Sequence, residues 1–130
     1  MGVFRKIIHV MNFFRCKFFK KLHSSGLGLI SLTSIIQINK GYLNVGRKLI
    51  MSDYTEIRSY GSITIGDNFY LNKFSRIIAH ENISIGKNVT IAQFVSILDH
   101  DHNYVFQNDE MNLDGYITSR IIIGNNVWIG

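Results

Sequence analysis

The sequence predicts an all-β solenoid, in which short strands coil around one apolar column, preceded by an amphipathic helix. Three observations carry this prediction. The dipeptides Val45-Gly46, Ile65-Gly66 and Ile85-Gly86 recur 20 residues apart. Within each repeat, an aliphatic or methionine residue returns every six positions. Between these positions lie Gly, Asn and Asp, which tolerate positive φ at low cost. A β-sandwich with Gly/Asn turns would not need such regular spacing.

Length and charge limit the function classes. The chain of 130 residues is long enough for one domain, and its only cysteine, Cys16, suits a reducing compartment. Its net charge of +5 is uneven, because no acid precedes Asp53. Six basic residues lie in the first 25 positions: Arg5, Lys6, Arg15, Lys17, Lys20 and Lys21. The body is therefore nearly neutral, and we expect no nucleic-acid partner, since nucleic acid favours a basic stripe on the folded face.

Residues 1–25 predict a basic amphipathic helix. The apolar residues follow the 3.6-residue period: Phe4, Ile7, Ile8, Met11, Phe14, Phe18 and Leu22. Charges interrupt the segment too often for a membrane span, and no cleavage site of a signal peptide follows it. Two alternatives remain, namely peripheral membrane contact through residues 3–22, or packing on its own domain or a partner subunit. Cys16 is either a lipidation site or a buried thiol.

Residues 26–44 are predicted to form a first strand or capping coil, and residues 45–130 form the repeats. Leu22–Asn39 is uncharged, but its serines and glycines argue against a membrane span. In the repeats, one aliphatic side chain per face points inward and forms ladders with the next coil. The inward positions are Val45, Met51 and Ile57, then Ile65, Leu71 and Ile77, then Ile85, Ile91 and Ile97.

The hexads from Val45 to Gly130 resemble a known family. "IGDNFY", "IGKNVT" and "IGNNVWIG" are similar to those of the hexapeptide-repeat acyltransferases, and most of all to galactoside, maltose and cell-surface-polysaccharide O-acetyltransferases. The resemblance implies a left-handed parallel β-helix. It also implies a homotrimer with active sites between subunits, and acetyl-CoA as the acyl donor.

Four titratable residues, Asp99 to His102, follow the aliphatic residues of the last regular coil. The repeat then lapses, which predicts a substrate-contacting loop over residues 103–119. Acyl transfer to a hydroxyl needs a base of near-neutral pKa, and imidazole, with a pKa of about 6.5, suits this task. The resemblance implies that His102 is the catalytic base, and His100 is the rival on the same strand face.

The resemblance also assigns binding residues. It places Asn72 and His80 at acceptor contacts, although relatives often carry an acid where this chain has His80. We expect Asp99 and His100 to line the acceptor side. Asp99, Asp101 or a backbone carbonyl could accept the second N–H of His102, and the sequence does not choose.

Trp128 resembles a tryptophan near the donor site, with packing on the outer solenoid face as its alternative. The Asp-His-Asp-His cluster has two further interpretations, a zinc site and a solvated corner before a loop. The two histidines are separated by one residue and no histidine follows them, so we expect no metal.

Together these features predict an acetyl-CoA-dependent O-acetyltransferase acting on a sugar hydroxyl. The basic helix suggests the cytoplasmic side, peripheral on the inner membrane, and cell-surface polysaccharide or lipopolysaccharide biosynthesis. Because the chain ends on the opening of another hexad, Ile129-Gly130, we predict a C-terminally truncated solenoid that binds acetyl-CoA weakly or not at all on its own. The alternatives are a non-catalytic fragment acting as a subunit or interaction module, and a zinc hydratase.

Overall fold

A computed structural model describes residues 2–19 and 21–130. It contains a parallel β-solenoid of about four turns, consistent with a left-handed β-helix, with one N-terminal helix. The elements are α1 (Val3–Phe19), β1 (Leu22–Ser24), β2 (Gly28–Ile30), β3 (Ile35–Ile38), β4 (Tyr42–Val45), β5 (Leu49–Met51), β6 (Glu56–Ser59), β7 (Ser62–Ile65), β8 (Phe69–Leu71), β9 (Arg76–Ala79), β10 (Asn82–Ile85), β11 (Val89–Ile91), β12 (Ser96–Leu98), β13 (His100–Gln107), β14 (Glu110–Thr118), β15 (Ile121–Ile123) and β16 (Trp128–Ile129).

Every third strand of the solenoid stacks into one of three faces. Face A has the order β1-β4-β7-β10-β15, face B the order β2-β5-β8-β11-β16, and face C the order β3-β6-β9-β12. One coil therefore consists of three consecutive strands, and β15 and β16 begin a fifth coil. Strands β13 and β14 form a separate antiparallel pair.

The predicted ladders are confirmed. Val45 pairs with Ile65, Ile65 with Ile85, and Ile85 with Ile123 in register. The inward residues of the other two faces stack in the same way. On face B, those from Met51 to Ile91 are fully buried. Each coil of a solenoid contacts only its neighbours. Burial of the aliphatic columns between stacked coils is therefore the main favourable term in the free energy of folding.

The two kinds of corner place different residue types in the left-handed backbone conformation. Between faces A and B, the left-handed conformation falls on Asn68, Asn88 and Asn126, as expected for asparagine, and on Lys48 in the second coil. Between faces B and C, it falls on Tyr54, Phe74 and Phe94, which were not predicted there. This conformation costs a residue with a side chain about 1–2 kcal/mol. Stacking of the three rings, with centroids 5.3 and 5.0 Å apart, offsets part of that cost.

The solenoid begins earlier than predicted. Residues 26–41 belong to a regular first coil that starts at Leu22, and residues 42–44 already open the second coil, where Leu43 pairs with Leu22. Ser24 pairs with Val45, so Ser24-Ser25 stands where later coils carry an aliphatic residue and glycine. The helix accordingly ends at Phe19, and the prediction that Leu22 continues its stripe is wrong, because Leu22 is buried in β1.

Helix α1 packs on the first coil through a face that the sequence did not indicate. His9, Asn12, Phe13 and Cys16 are buried, whereas most of the predicted apolar stripe is exposed. The Asn12 amide donates to the carbonyl oxygens of Ile30 and Ser31 at 3.2 and 2.8 Å. Lys20, predicted off the stripe, lies outside the described residues. Within residues 2–19 and 21–130, no helix has the length and apolarity needed to cross a bilayer.

The insertion predicted as a loop over 103–119 is a β-hairpin that begins at His100. Strands β13 and β14 pair from His100–Thr118 to Gln107–Glu110, with an irregularity after His102. The two connecting residues, Asn108 and Asp109, both have positive φ (54° and 61°). Positive φ at both central residues defines the two-residue type I′ turn, which matches the twist of paired strands.

Candidate functional site

Aromatic and titratable side chains converge where face C meets face A. We call this group the histidine corner, and it consists of Tyr60, His80, Asp99, His100, His102 and Tyr116. The corner lies at the point where the chain leaves the solenoid to form the hairpin. It therefore joins three successive coils to the insertion.

The stack within the corner follows from strand register. Leu98 pairs with Ile78, so two residues later His100 lies against His80. Tyr60 lies against His80 from the coil below it. The ring centroids of His80 and His100 are 3.9 Å apart, and those of Tyr60 and His80 are 4.7 Å apart. Side chains one repeat apart meet directly, as in any parallel ladder.

Tyr116 connects the hairpin to this stack. Its ring lies 4.2 Å from that of His80, 5.3 Å from that of His100 and 4.9 Å from that of His102, centroid to centroid. His102 pairs with Tyr116 across the hairpin, and both histidines of β13 contact the same tyrosine. The prediction that His100 and His102 share one face is confirmed.

Asp99 is a structural anchor for the corner. Its carboxylate accepts hydrogen bonds from the backbone N–H groups of His80 and Glu81 at 2.7 and 2.9 Å. One coil earlier, the equivalent N–H groups of Tyr60 and Gly61 donate to the carbonyl of Ala79. The chain leaves the solenoid at His100, and the backbone carbonyl of Asp99 accepts the backbone N–H of Ser119 rather than those of His80 and Glu81. The Asp99 side chain thus replaces a backbone acceptor, and this carboxylate is fully buried.

Asp99 contacts the imidazole of His100, not that of His102. The Nδ1 atom of His100 lies 3.4 Å from Asp99 Oδ1, and the His100 side chain is 13% exposed. Asp101 is exposed and accepts the backbone N–H of His102 at 2.8 Å. The orienting contact that the sequence left open for His102 is therefore made to the rival imidazole, His100. His102 itself is exposed and reaches the corner only through the Tyr116 ring.

The corner disfavours positive charge on its central histidine. Burial lowers the pKa of His80, and the charges of His100 and His102 lower it further, whereas Asp99 opposes them. The neutral form of His80 is therefore favoured, and a neutral imidazole can accept a proton or share hydrogen bonds. A neutral imidazole also stacks on its neighbours without like-charge repulsion.

The other two predicted binding residues lie elsewhere in the single chain. Asn72 sits at the corner between faces B and C, the opposite end of face C from His80. Its Oδ1 accepts from the Lys73 N–H at 2.8 Å and from the Tyr70 hydroxyl at 3.2 Å. Trp128 lies on face B of the fifth coil, beside Thr90, and is 71% exposed. One chain therefore does not bring Asn72 or Trp128 to the histidine corner.

Across the described residues, no group of three or more His, Cys, Asp or Glu side chains has an arrangement that could hold a metal ion. The three histidines of the corner are instead stacked ring on ring with tyrosines. Two members of the corner, Tyr60 and Tyr116, were missed from the sequence. Tyr60 lies 20 residues before His80, so the repeat spacing contained its signal, whereas Tyr116 depends on the hairpin register.

Comparisons with protein-family models, with curated proteins and with solved structures give no match for this chain.

Proposed function

We propose that the protein transfers an acetyl group from acetyl-CoA to a hydroxyl group of a saccharide, with His102 as the general base. The observation that supports this most directly is the histidine corner, where three imidazoles and a buried carboxylate lie beside an exposed hairpin. His102 is the solvent-facing imidazole of this group and can be reached by a saccharide. The hexad pattern supports the same reaction class through its resemblance to hexapeptide-repeat acyltransferases.

In the proposed reaction, the neutral imidazole of His102 takes the hydroxyl proton as the oxygen attacks the thioester carbonyl. Collapse of the tetrahedral intermediate breaks the carbon–sulfur bond, and the imidazolium returns its proton to the departing thiolate of CoA. The products are an acetyl ester of the saccharide and free CoA. His80 and His100 line the acceptor side, and Tyr116 holds the ring of His102 near them.

The proposed assembly is a homotrimer. Asn72 and the histidine corner occupy opposite ends of face C, so one chain alone separates the acceptor-binding amide from the base. A neighbouring subunit packed along this face would bring the two together, as would be required for an active site between subunits. The exposed Trp128 would then be available to line the donor side.

The second candidate is a non-catalytic interaction module. It is favoured by the observation that the Asp99 carboxylate is engaged with the backbone N–H groups of His80 and Glu81 and with the imidazole of His100. In that case, the corner would serve only to fix the hairpin to the solenoid. This candidate predicts a folded protein that transfers no acetyl group.

The first test is detection of the product. The complete reading frame would be expressed and incubated with acetyl-CoA and a panel of saccharides, and acetyl esters would be found by mass spectrometry alongside thiol release. His102→Ala should lose about 100-fold or more of the activity. His23→Ala, at an exposed position on face A, should keep it. A folded wild type that acetylates no saccharide would favour the interaction module. Retained activity in His102→Ala with loss in His100→Ala would move the base to His100.

The second test concerns the assembly. His102→Ala and Asn72→Ala, each inactive separately, would be unfolded together and refolded as mixed trimers. If base and amide meet across a subunit boundary, about one quarter of the sites should regain both groups. Recovery near that fraction supports the shared site. No recovery in trimers of proven mixed composition would place both residues in the same subunit's site.

A further inference from the structure

Helix α1 presents an apolar face that nothing in the described chain covers. The opposite face, with Asn12 and Phe13, is buried on the first coil. The uncovered face, which we call the outer stripe, consists of Phe4, Ile7, Met11, Phe14 and Phe18. Phe4 and Phe18 are 76% and 75% exposed at the two ends of the helix. Large contiguous apolar surface is rare on a soluble protein and indicates an interaction site.

The first coil extends this apolar surface at its corner between faces B and C. Leu32 is exposed and lines a shallow groove of about 300 Å³ with Ile8, Met11, Asn12 and Arg15. In the later coils, the positions in register with Leu32 are polar: Asp53, Lys73 and Gln93. Only the coil next to α1 replaces a polar corner with leucine. At this position of the repeat, an apolar side chain therefore lies only beside α1, where Leu32 extends the apolar surface of the helix.

The same end of the molecule is strongly basic. Lys6, Arg15, Lys17 and Lys21 are exposed, and no acid precedes Asp53 in the chain. Asp53 is engaged by Arg5 and by the hydroxyl of Ser31, so it does not neutralise these four cations. A second copy docked through the outer stripe would bring two such basic ends together, and like charges oppose that contact.

We propose that the outer stripe docks on an anionic lipid bilayer, with α1 lying in the interface. Bulky aromatic and aliphatic side chains on one face, bordered by lysine and arginine, combine apolar burial with attraction to acidic headgroups. The proposal does not rest on acetyl transfer, since binding to vesicles is measured without acetyl-CoA.

The fold then sets the distance between the histidine corner and the bilayer surface. Coils stack at the strand spacing, so His80 in the third coil and His100 in the fourth stand about 10 and 14 Å beyond the first coil, away from the bilayer. Trp128, the only tryptophan in the chain, lies in the fifth coil, farther still. Docking by α1 therefore leaves Trp128 in water.

Sedimentation with vesicles tests the proposal. Wild type should bind vesicles of phosphatidylcholine with one quarter phosphatidylglycerol much more tightly than vesicles of pure phosphatidylcholine. The double variant Phe4→Ser/Phe18→Ser should lose binding by about tenfold or more, because two exposed anchors are removed. Phe94→Ser is the matched control, since this exposed phenylalanine (71%) lies at the aromatic corner of the fourth coil.

Tryptophan depth gives an independent result. Phe18→Trp in a Trp128→Phe background should be quenched by brominated lipid, whereas Phe94→Trp in the same background should not be. The proposal fails if wild type does not bind the anionic vesicles, or if Phe4→Ser/Phe18→Ser binds as the control does. It also fails if the double variant dissociates an oligomer that Phe94→Ser leaves intact, because the outer stripe would then be a protein interface.

Discussion

Replacement of Asp99 by alanine is expected to be one of the most destabilising single changes at the histidine corner. The Asp99 carboxylate is fully buried and satisfies two backbone N–H groups, at 2.7 and 2.9 Å, where the chain leaves the solenoid. Hydrogen bonds to a charged group contribute about 1.5–3 kcal/mol each. Loss of both leaves two backbone donors without their acceptor, so we expect Asp99→Ala to cost about 3–6 kcal/mol.

Asp101 provides the matched control for this prediction. It lies two residues away and is also an aspartate, but it is exposed and accepts only the backbone N–H of His102. Asp101→Ala should therefore change the free energy of unfolding by no more than about 0.5 kcal/mol. The comparison separates the buried carboxylate from the general negative charge of the segment.

The assay combines urea unfolding with hydrogen exchange. Because a solenoid can open locally, exchange should be followed at the amides of His80 and Glu81, which lose protection in Asp99→Ala before the central coils do. Equal stability of the Asp99→Ala and Asp101→Ala proteins, with unchanged protection of those amides, would refute the role given to the Asp99 carboxylate.

Three further predictions concern a buried ladder residue, a corner glycine and the central histidine of the histidine corner. Ile77→Ala empties a fully buried ladder position and should cost about 2–5 kcal/mol in urea unfolding; a cost below about 1 kcal/mol would contradict tight stacking. Gly41→Ala would place a Cβ 1.3 Å from the carbonyl oxygen of Gly61 and should displace the first coil, seen as lost amide protection, whereas Gly124→Ala, with open space around its Cβ, should not. Folding lowers the pKa of His80, so the unfolded state binds the proton first, and the free energy of unfolding should fall as the pH drops below about 6.5 and level off below the folded-state pKa. His80→Gln should flatten that decline, and an identical pH dependence in both proteins would argue against the shift.

The ladder could be predicted because each hexad contains its own inward residue, and stacking only repeats it. The same logic failed for the first coil, where Ser24-Ser25 replaces the aliphatic-glycine pair of later coils. The first coil could be identified only from the pairing of Leu22 with Leu43 in the structure. Aromatic residues at positive φ were also missed, because the stacking that offsets their strain exists only once the coils are superposed.

The site could be predicted in part. The 20-residue spacing is sufficient to place His80 below His100, as the structure shows. The function of Asp99 could not be read from the sequence, because it depends on where the backbone leaves the solenoid. Tyr116 depends on the hairpin register, for which Asn108-Asp109 was the available turn signal. The helix was amphipathic as predicted, but burial selected a different face from the stripe with the most apolar residues.

The most direct test of the central claim is the ratio of acetyl-transfer rates of wild type and His102→Ala on the saccharide that gives the highest rate, with both proteins shown to be equally folded. The account predicts that wild type forms the acetyl ester and that His102→Ala is slower by about 100-fold or more. Comparable rates for the two proteins would contradict it.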